Sequence, residues 1–310
     1  MLKFLYYYLR SMRLYYGFVT ATTVLVGLCL AHVNHAPGEL GHWTLSDALM
    51  LVFGFLAWGA NQIFSDWCDR KEDAINAPHR PMVTGALAPR PAFALSAAIL
   101  IVIAGTSAWM SFWTIPFLIL GGCLNILYSR LKRVPVLNCL VYAAAISCCA
   151  LYAVAGVQDR CPDWSTVAFV AITIHPVHFL MCHNSYYKDV AGDRAAGVGT
   201  LQQYPSAIAK TLTVGLEVVA IQISWMVAYA VGDEVGESWW RFLQPFLVAT
   251  LATAHFIFLQ RKRYHVATCL NCQLCVALLH AIWFLDTWPF EIASLVAIQL
   301  LFLWYNDEKE

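Results

Sequence analysis

Charged side chains are scarce in this chain of 310 residues. Asp, Glu, Lys and Arg together make up 12% of the sequence, and the formal net charge is zero. This share is about half of that usual in soluble domains. No long run of basic residues is present, so we exclude nucleic acid as a partner. A water-soluble fold is excluded too, because 60% of the residues are apolar or aromatic and an ordinary globular core could not absorb so many.

The eleven cysteines do not form a convincing metal-cluster sequence. The run Cys269, Cys272 and Cys275 has the spacing of a cluster motif, but no fourth cysteine followed by proline accompanies it. These cysteines lie in an apolar segment, where free cysteine behaves as a small hydrophobic residue. We therefore interpret them as helix-packing residues.

Apolar runs of about twenty residues, the length of helix that crosses hydrocarbon, dominate the chain. They lie near 14–32, 47–66, 91–110, 113–129, 134–156, 165–187, 206–231, 239–260, 266–285 and 288–305. The pattern predicts an all-α, multi-pass transmembrane bundle of nine or ten helices, since the last run is short enough to lie at the interface. No linker or tandem repeat divides the sequence, so we predict a single integral membrane domain over residues 1–310.

Basic residues collect in alternate loops. They occur at the amino terminus, in 70–90, in 130–133, around Lys188 and in 261–263, whereas the intervening loops contain only Arg160. Because basic loops of membrane proteins face the cytoplasm, this alternation predicts that the loops after the second and sixth spans lie on the cytoplasmic side.

The loop after the second span is acidic. Asn61, Ser65, Asp69 and Asp73 recur every four residues, and Asp66 lies about one turn before Asp69 and two turns before Asp73. If the second span continues as a helix to Asp73, these side chains share one stripe. Ionised carboxylates at this spacing repel one another, and they cost still more at the end of a membrane span, unless a cation lies beside them.

A second acidic pair, Asp189 and Asp193, follows the sixth span. Two such clusters on one membrane face offer oxygen ligands suited to Mg²⁺, which keeps few protein carboxylates and readily takes phosphate oxygens. We therefore predict metal ions that bridge the carboxylates to a diphosphate. The predicted contacts for the remaining phosphate charge are the nearby basic side chains Arg80, Lys132, Lys188 and Arg194.

The ordered segments resemble the motifs of the UbiA superfamily of intramembrane prenyltransferases. The first family motif, Asn-x3-Asp-x3-Asp followed by Arg-Pro, is matched at Asp69, Asp73 and Arg80-Pro81, and the second, Asp-x3-Asp, at Asp189 and Asp193. A third, Tyr-Ser-x-Leu-Lys-Arg, is matched at residues 128–133, and the resemblance covers essentially the whole chain. The sequence departs from the family at two positions, where Ser65 replaces the first asparagine and Tyr186 replaces an acidic residue that many members carry.

The resemblance implies a helical bundle around a central cavity that opens laterally to lipid and is capped by the two motifs on the cytoplasmic side. It implies that Mg²⁺ assists departure of diphosphate from an isoprenyl diphosphate, and that a lipophilic or aromatic acceptor captures the allylic cation. Asn61 and Ser65 would support the site, and Tyr128 would assist at the diphosphate. The metal ligands it implies are Asp66, Asp69, Asp73, Asp189 and Asp193.

Two other functions stay open at this stage. A UbiA-type terpene cyclase would ionise farnesyl or geranylgeranyl diphosphate in the same way and then capture the cation intramolecularly, and the Asp-x2-Glu-Asp form of residues 69–73 favours this reading. A transporter or lipid-binding scaffold is the weaker alternative. Its binding site would be expected near the bilayer midplane, whereas the ionisable groups here congregate at one mouth of the bundle.

Overall fold

The computed structural model describes residues 2–33, 43–131, 134–195, 197, 199–203, 206–231, 239–283 and 288–306. These ranges form helices and contain no strand, which confirms the predicted all-α fold. The helices are α1 (Leu2–Ser11), α2 (Gly17–Val33), α3 (Leu45–Cys68), α4 (Arg70–Asn76), α5 (Pro89–Met110), α6 (Ile115–Leu131), α7 (Leu137–Gln158), α8 (Trp164–Ser185), α9 (Val190–Ala195), α10 (Ser206–Val231), α11 (Trp239–Gln260), α12 (Tyr264–Trp283) and α13 (Trp288–Asn306).

Nine segments of the described chain are long and apolar enough to cross a membrane. They correspond to nine of the ten predicted runs, and the protein is a multi-pass membrane protein. The remaining run, 266–285, forms α12 but is not among the nine. This helix lies inside the bundle and carries the buried polar residues Thr268, Asn271 and Gln273.

The bundle is tightest where α2 crosses α7. A Cβ atom added at Gly27 would come within 2.3 Å of the carbonyl oxygen of Ala150, so the two backbones touch. Small residues at such a crossing let membrane helices approach closely and gain dispersion energy. The largest core cluster surrounds this crossing and includes residues of α8, α12 and α13. By contrast, α6 has no buried residue and stands at the periphery.

The structure corrects one detail of the first acidic segment. The second span does not continue unbroken to Asp73, because α3 ends at Cys68 and Asp69 has φ −90° and ψ 11°. Hydrogen bonds from Asp69 N to Ser65 O (2.8 Å) and from Asp73 N to Asp69 O (2.8 Å) nevertheless keep the helical register across the break. Asn61, Ser65, Asp69 and Asp73, which recur every four residues, therefore stay on one side of the helical path.

Side chains from other elements hold the end of α8. The last carbonyl groups of a helix lack partners within it. Here Gln202 Nε2 donates to His183 O at 2.7 Å, and Asn271 Nδ2 donates to Met181 O at 2.9 Å. A single 3-10 turn, Tyr186–Lys188, follows and leads into α9. The segment that carries the second acidic pair thus starts from a fixed point.

Candidate active site

The two acidic segments line one pocket of about 240 Å³ at the end of the bundle where α3, α6 and α8 terminate. Most of the predicted site residues contribute to its wall, although they come from distant parts of the sequence. The predicted residues that line it are Asn61, Ser65, Asp69, Asp73, Tyr128, Arg80, Lys188, Asp189 and Asp193. The expectation that the two motifs form the halves of one site agrees with this geometry.

Asp73 is the most deeply buried carboxylate of the pocket wall in the first segment. Its Oδ1 atom forms an ion pair with Arg80 Nη1, while its Oδ2 atom is buried and has no hydrogen-bond partner among the described residues. Burial raises the pKa of the Asp73 carboxyl above its usual value, although Arg80 opposes the shift. A buried carboxylate oxygen without a partner is costly, and a bound cation would remove that cost.

Asp66 does not line the pocket and instead lies behind its wall. Arg13 Nη2 approaches Asp66 Oδ1 at 2.6 Å, and Gln62 Nε2 donates to the same oxygen at 3.1 Å. Arg80 Nη1 lies 3.6 Å from it. Asp66 therefore provides a shared negative charge for two guanidinium groups, a role different from the metal ligation that the resemblance implies.

Arg13 lines the pocket, a position that sequence patterns did not predict, since they show only a basic residue before the first span. It has a left-handed backbone conformation (φ 47°, ψ 56°) in the turn after α1. Burial alone would lower the pKa of Arg13, but the combined charges of Asp66, Tyr305, Tyr15 and Asp73 outweigh it, so the pKa is raised well above the ordinary value. The pocket thus contains a second buried, permanently charged guanidinium beside Arg80.

The second segment adds both signs of charge. Lys188 Nζ lies 2.6 Å from Asp189 Oδ2, and Asp193 is buried in the pocket wall. Arg194 is exposed on α9 and does not line the pocket. Lys132 lies outside the described residues, but Arg130, in the last turn of α6, lines the pocket.

The carboxylates suit a cation that takes many of its ligands from elsewhere. Within the described part of the chain, no three His, Cys, Asp or Glu side chains come close enough to hold a metal ion by themselves. Zinc sites, which use three or four protein ligands, are therefore a poor match. Mg²⁺ fits better, because it binds one or two carboxylates and completes its shell with water and substrate phosphate. Asp73 Oδ2, which has no hydrogen-bond partner among the described residues, could be one such carboxylate ligand.

Aromatic rings form a continuous row along the pocket wall. The ring centroids of Tyr16 and Trp58 are 5.2 Å apart, those of Trp58 and Tyr142 are 6.2 Å apart, and those of Tyr142 and Tyr128 are 5.4 Å apart. Tyr186, which replaces an acidic residue of the family, donates its hydroxyl to that of Tyr128 at 3.0 Å. This position therefore extends the aromatic row.

An apolar channel of about 470 Å³ adjoins the polar pocket and lies between α3, α5, α6 and α7. Trp58, Asn61 and Asn125 line both cavities. At this junction Asn125 Nδ2 donates to Asn61 Oδ1 at 2.8 Å. The two cavities together suit an amphiphilic ligand with a highly charged head and a long apolar tail. Sequence reasoning missed Asn125 because a lone asparagine in an apolar run has no distinguishing pattern.

Comparison with known proteins gives an independent result. The profile of the UbiA prenyltransferase family matches residues 20–267 of the chain. The bacteriochlorophyll synthase 33 kDa chain of Rhodobacter capsulatus is 27% identical over 160 residues, which cover 49% of this chain and 52% of that protein. The chain thus spans about half the length of this relative. The digeranylgeranylglyceryl phosphate synthase of Methanothrix thermoacetophila is 26% identical over 216 residues, 69% of this chain and 74% of that protein.

A solved structure shares the fold. A UbiA homologue from Archaeoglobus fulgidus, bound to GPP and Mg²⁺, superimposes with a TM-score of 0.59 at 15% sequence identity. The match covers 88% of this chain and 99% of that protein.

Proposed function

Because the chain belongs to the UbiA prenyltransferase family, we propose that it is an Mg²⁺-dependent intramembrane prenyltransferase. It would ionise an isoprenyl diphosphate and transfer the prenyl group to a lipophilic or aromatic acceptor. The observation that carries the proposal is the junction at Asn61 and Asn125, two residues that line both a pocket with acidic and basic side chains and an apolar channel. That pairing matches the two chemically different ends of an isoprenyl diphosphate.

In this proposal, Asp69, Asp73, Asp189 and Asp193 hold Mg²⁺ at the mouth of the channel. Bound Mg²⁺ would neutralise the charge that develops on the departing diphosphate. The GPP and Mg²⁺ in the Archaeoglobus fulgidus homologue support this assignment. Asp73 contributes its buried Oδ2, which has no partner among the described residues.

Basic side chains would bind the diphosphate itself. Arg80 and Arg13 line the pocket, and each guanidinium presents a planar fork that matches phosphate oxygens. Lys188 would contribute a point charge next to Asp189. The Tyr128 hydroxyl, in the same pocket wall, would donate a hydrogen bond. These groups are oriented before the bond between the prenyl chain and the diphosphate breaks, which is the condition for effective electrostatic stabilisation of a leaving group.

The apolar channel and the aromatic row would protect the cation. The faces of Tyr16, Trp58 and Tyr142 carry negative potential, which attracts a cation within about 6 Å. A channel lined mainly by aliphatic side chains excludes the water that would otherwise quench an allylic cation. The acceptor would then supply the electron pair that forms the new bond to C1, the prenyl carbon from which the diphosphate has departed.

The same site would lie on the cytoplasmic side of the membrane. Arg70, Arg80, Arg90 and Lys188 follow the ends of α3 and α8 that carry the acidic residues. Basic loops are retained on the cytoplasmic face during insertion. The isoprenyl diphosphate would therefore enter from the cytoplasm or the inner leaflet.

Diphosphate release from farnesyl and geranylgeranyl diphosphate tests the proposal. The purified protein in lipid nanodiscs would be assayed with Mg²⁺, with and without a panel of aromatic and lipophilic acceptors. We expect an acceptor-dependent prenylated product and loss of diphosphate release in the Asp69→Asn/Asp189→Asn double variant. Asp163→Asn is the matched control, since this exposed carboxylate caps the other end of α8 and asparagine caps a helix equally well. Full activity of the double variant would refute the proposed site.

A terpene cyclase is the second candidate. The aromatic row from Tyr16 to Tyr128 surrounds the point where a cation would form, and such a surface also suits a cation that migrates along its own chain. In the assay without acceptor, a cyclic hydrocarbon or alcohol would establish the cyclase. Unchanged substrate until an acceptor is added would establish transfer.

A further inference from the structure

The depth of the apolar channel can be read from two helices. Along α6 the channel wall runs from Asn125 to Ile115, ten residues apart, which correspond to about 15 Å at the helical rise of about 1.5 Å per residue. Along α7 the wall runs from Ala145 to Tyr152, seven residues apart, which correspond to about 10 Å. The longer wall, on α6, gives a channel about 15 Å deep below the amide junction.

A hydrogen-bonded pair closes the far end of the channel. The hydroxyl of Tyr152 lies 2.8 Å from Ser107 Oγ, and both residues are buried. Since Ser107 belongs to α5 and Tyr152 to α7, this bond joins two walls of the channel. The Tyr152 ring also packs in a core cluster with Val24 and Met50. It is therefore held in place and cannot swing aside without breaking both sets of contacts.

The width of the channel depends on Gly122 of α6. This glycine lines the channel, and a Cβ atom placed on it would meet no protein atom within 4 Å. Helix packing therefore does not require glycine here, although glycine costs a helix about 1 kcal/mol relative to alanine. Gly122 lies three residues from Asn125, about 5 Å below the junction. A large side chain at this position would obstruct the upper part of the channel.

We propose that the channel selects a prenyl chain of four isoprene units, with Tyr152 as the residue that sets its end and Gly122 as the residue that leaves it open. The inference rests on the proposed function. Each unit adds four carbon–carbon bonds in a zigzag, about 5 Å in length, so three units span the 15 Å depth. Their fifteen carbons fill roughly 450 Å³ if each takes about 30 Å³, the volume of a water molecule in the liquid. This value is close to the channel volume of about 470 Å³. The first unit stays at the junction, so the whole prenyl chain has four units.

Diphosphate release from substrates of two, three, four and five isoprene units tests the assignment. The wild-type protein should have its highest kcat/KM with four units. Gly122→Trp should lower the ratio of the four-unit to the two-unit value at least tenfold. Tyr152→Ala should raise the ratio of the five-unit to the four-unit value about tenfold, whereas Tyr152→Phe, which keeps the ring, should leave it unchanged.

Gly105→Trp is the matched control for the first variant. A Cβ at Gly105 of α5 also meets open space, but this residue does not line the channel, so the preference should not change. Thermal unfolding would verify that each variant is folded, and Gly122→Leu would replace Gly122→Trp if that variant does not fold.

The outcomes separate the two proposals. An active wild-type protein whose length preference is the same in the Gly122 and Tyr152 variants would overturn the channel inference and leave the prenyltransferase proposal intact. It would mean that the chain leaves sideways into lipid. A wild-type protein that releases no diphosphate from any substrate, even with the panel of acceptors present, would instead overturn the proposed function.

Discussion

Replacing Asp66 by asparagine separates two roles that a carboxylate in the first acidic segment can have. The structure places Asp66 between Arg13 and Arg80, behind the pocket wall, whereas the family resemblance assigns it to the metal. The substitution keeps the shape of the side chain and removes its charge. Two buried guanidinium groups would then lack the counter-charge that they share.

The size of the effect follows from the contacts. Removing one partner of a buried ion pair costs about 3–5 kcal/mol, and we expect the lower end because asparagine still accepts a hydrogen bond from Arg13. Turnover should fall about 10- to 100-fold, the range found when residues that orient a metal site are replaced. Without the Asp66 charge the positive potential around Arg13 and Arg80 rises, although Arg80 keeps its ion pair with Asp73. This would favour diphosphate binding, so the loss of activity should lie mainly in kcat. The Mg²⁺ requirement should stay within about twofold of the wild-type value, because a residue that only orients arginines is not a ligand.

A titration of diphosphate release against Mg²⁺ at saturating prenyl diphosphate measures this difference. Asp69→Asn provides the reference for loss of a pocket carboxylate, and its Mg²⁺ requirement should rise at least tenfold. If Asp66→Asn raises the Mg²⁺ requirement as much as Asp69→Asn does, then Asp66 is a metal ligand and our reasoning about Arg13 is wrong.

Three further outcomes are expected. Asp73→Asn should lower kcat about 10²- to 10³-fold, as removal of one preorganised electrostatic group does, and normal turnover would contradict its place in the site. Removal of divalent metal with EDTA should abolish diphosphate release, and added Mg²⁺ should restore it; activity that persists in EDTA would argue against metal-assisted ionisation. Gly27→Ala should lower the free energy of unfolding by about 1–3 kcal/mol, the usual cost of overpacking, because the new methyl would collide with the Ala150 carbonyl. Gly105→Ala, which faces open space, is its control, and equal thermal stability of the two variants would contradict the close crossing of α2 and α7.

Helix positions were the part of the fold that the sequence predicted well. The predicted runs 91–110 and 239–260 became Pro89–Met110 and Trp239–Gln260. Length and hydropathy suffice for this, because only a helix satisfies its own backbone in hydrocarbon. The run at 266–285 lies mostly in α12, but the sequence did not predict that its polar side chains are buried inside the bundle, because a hydropathy window does not distinguish buried positions from lipid-facing ones.

The site was predictable only as far as helical periodicity reaches. Intervals of four residues placed Ser65, Asp69 and Asp73 on one side correctly. Asp66 follows Ser65 by about 100° around the helix and belongs with Gln62 on the adjacent stripe. The roles of Arg13 and Asn125 arise from partners 53 and 64 residues away, and no local pattern encodes such contacts.

The peripheral position of α6 has a consequence for how this protein should be handled. Because α6 has no buried residue yet forms one wall of the channel, lipid acyl chains complete the support on its outer side. Its amide contact with Asn61 is a fixed polar point near one end. The lateral pressure and thickness of the surrounding bilayer would then influence the shape of the channel. The channel should therefore have a different shape in micelles of short-chain detergents than in nanodiscs of defined lipids, and the protein should act differently on the same substrate in the two preparations.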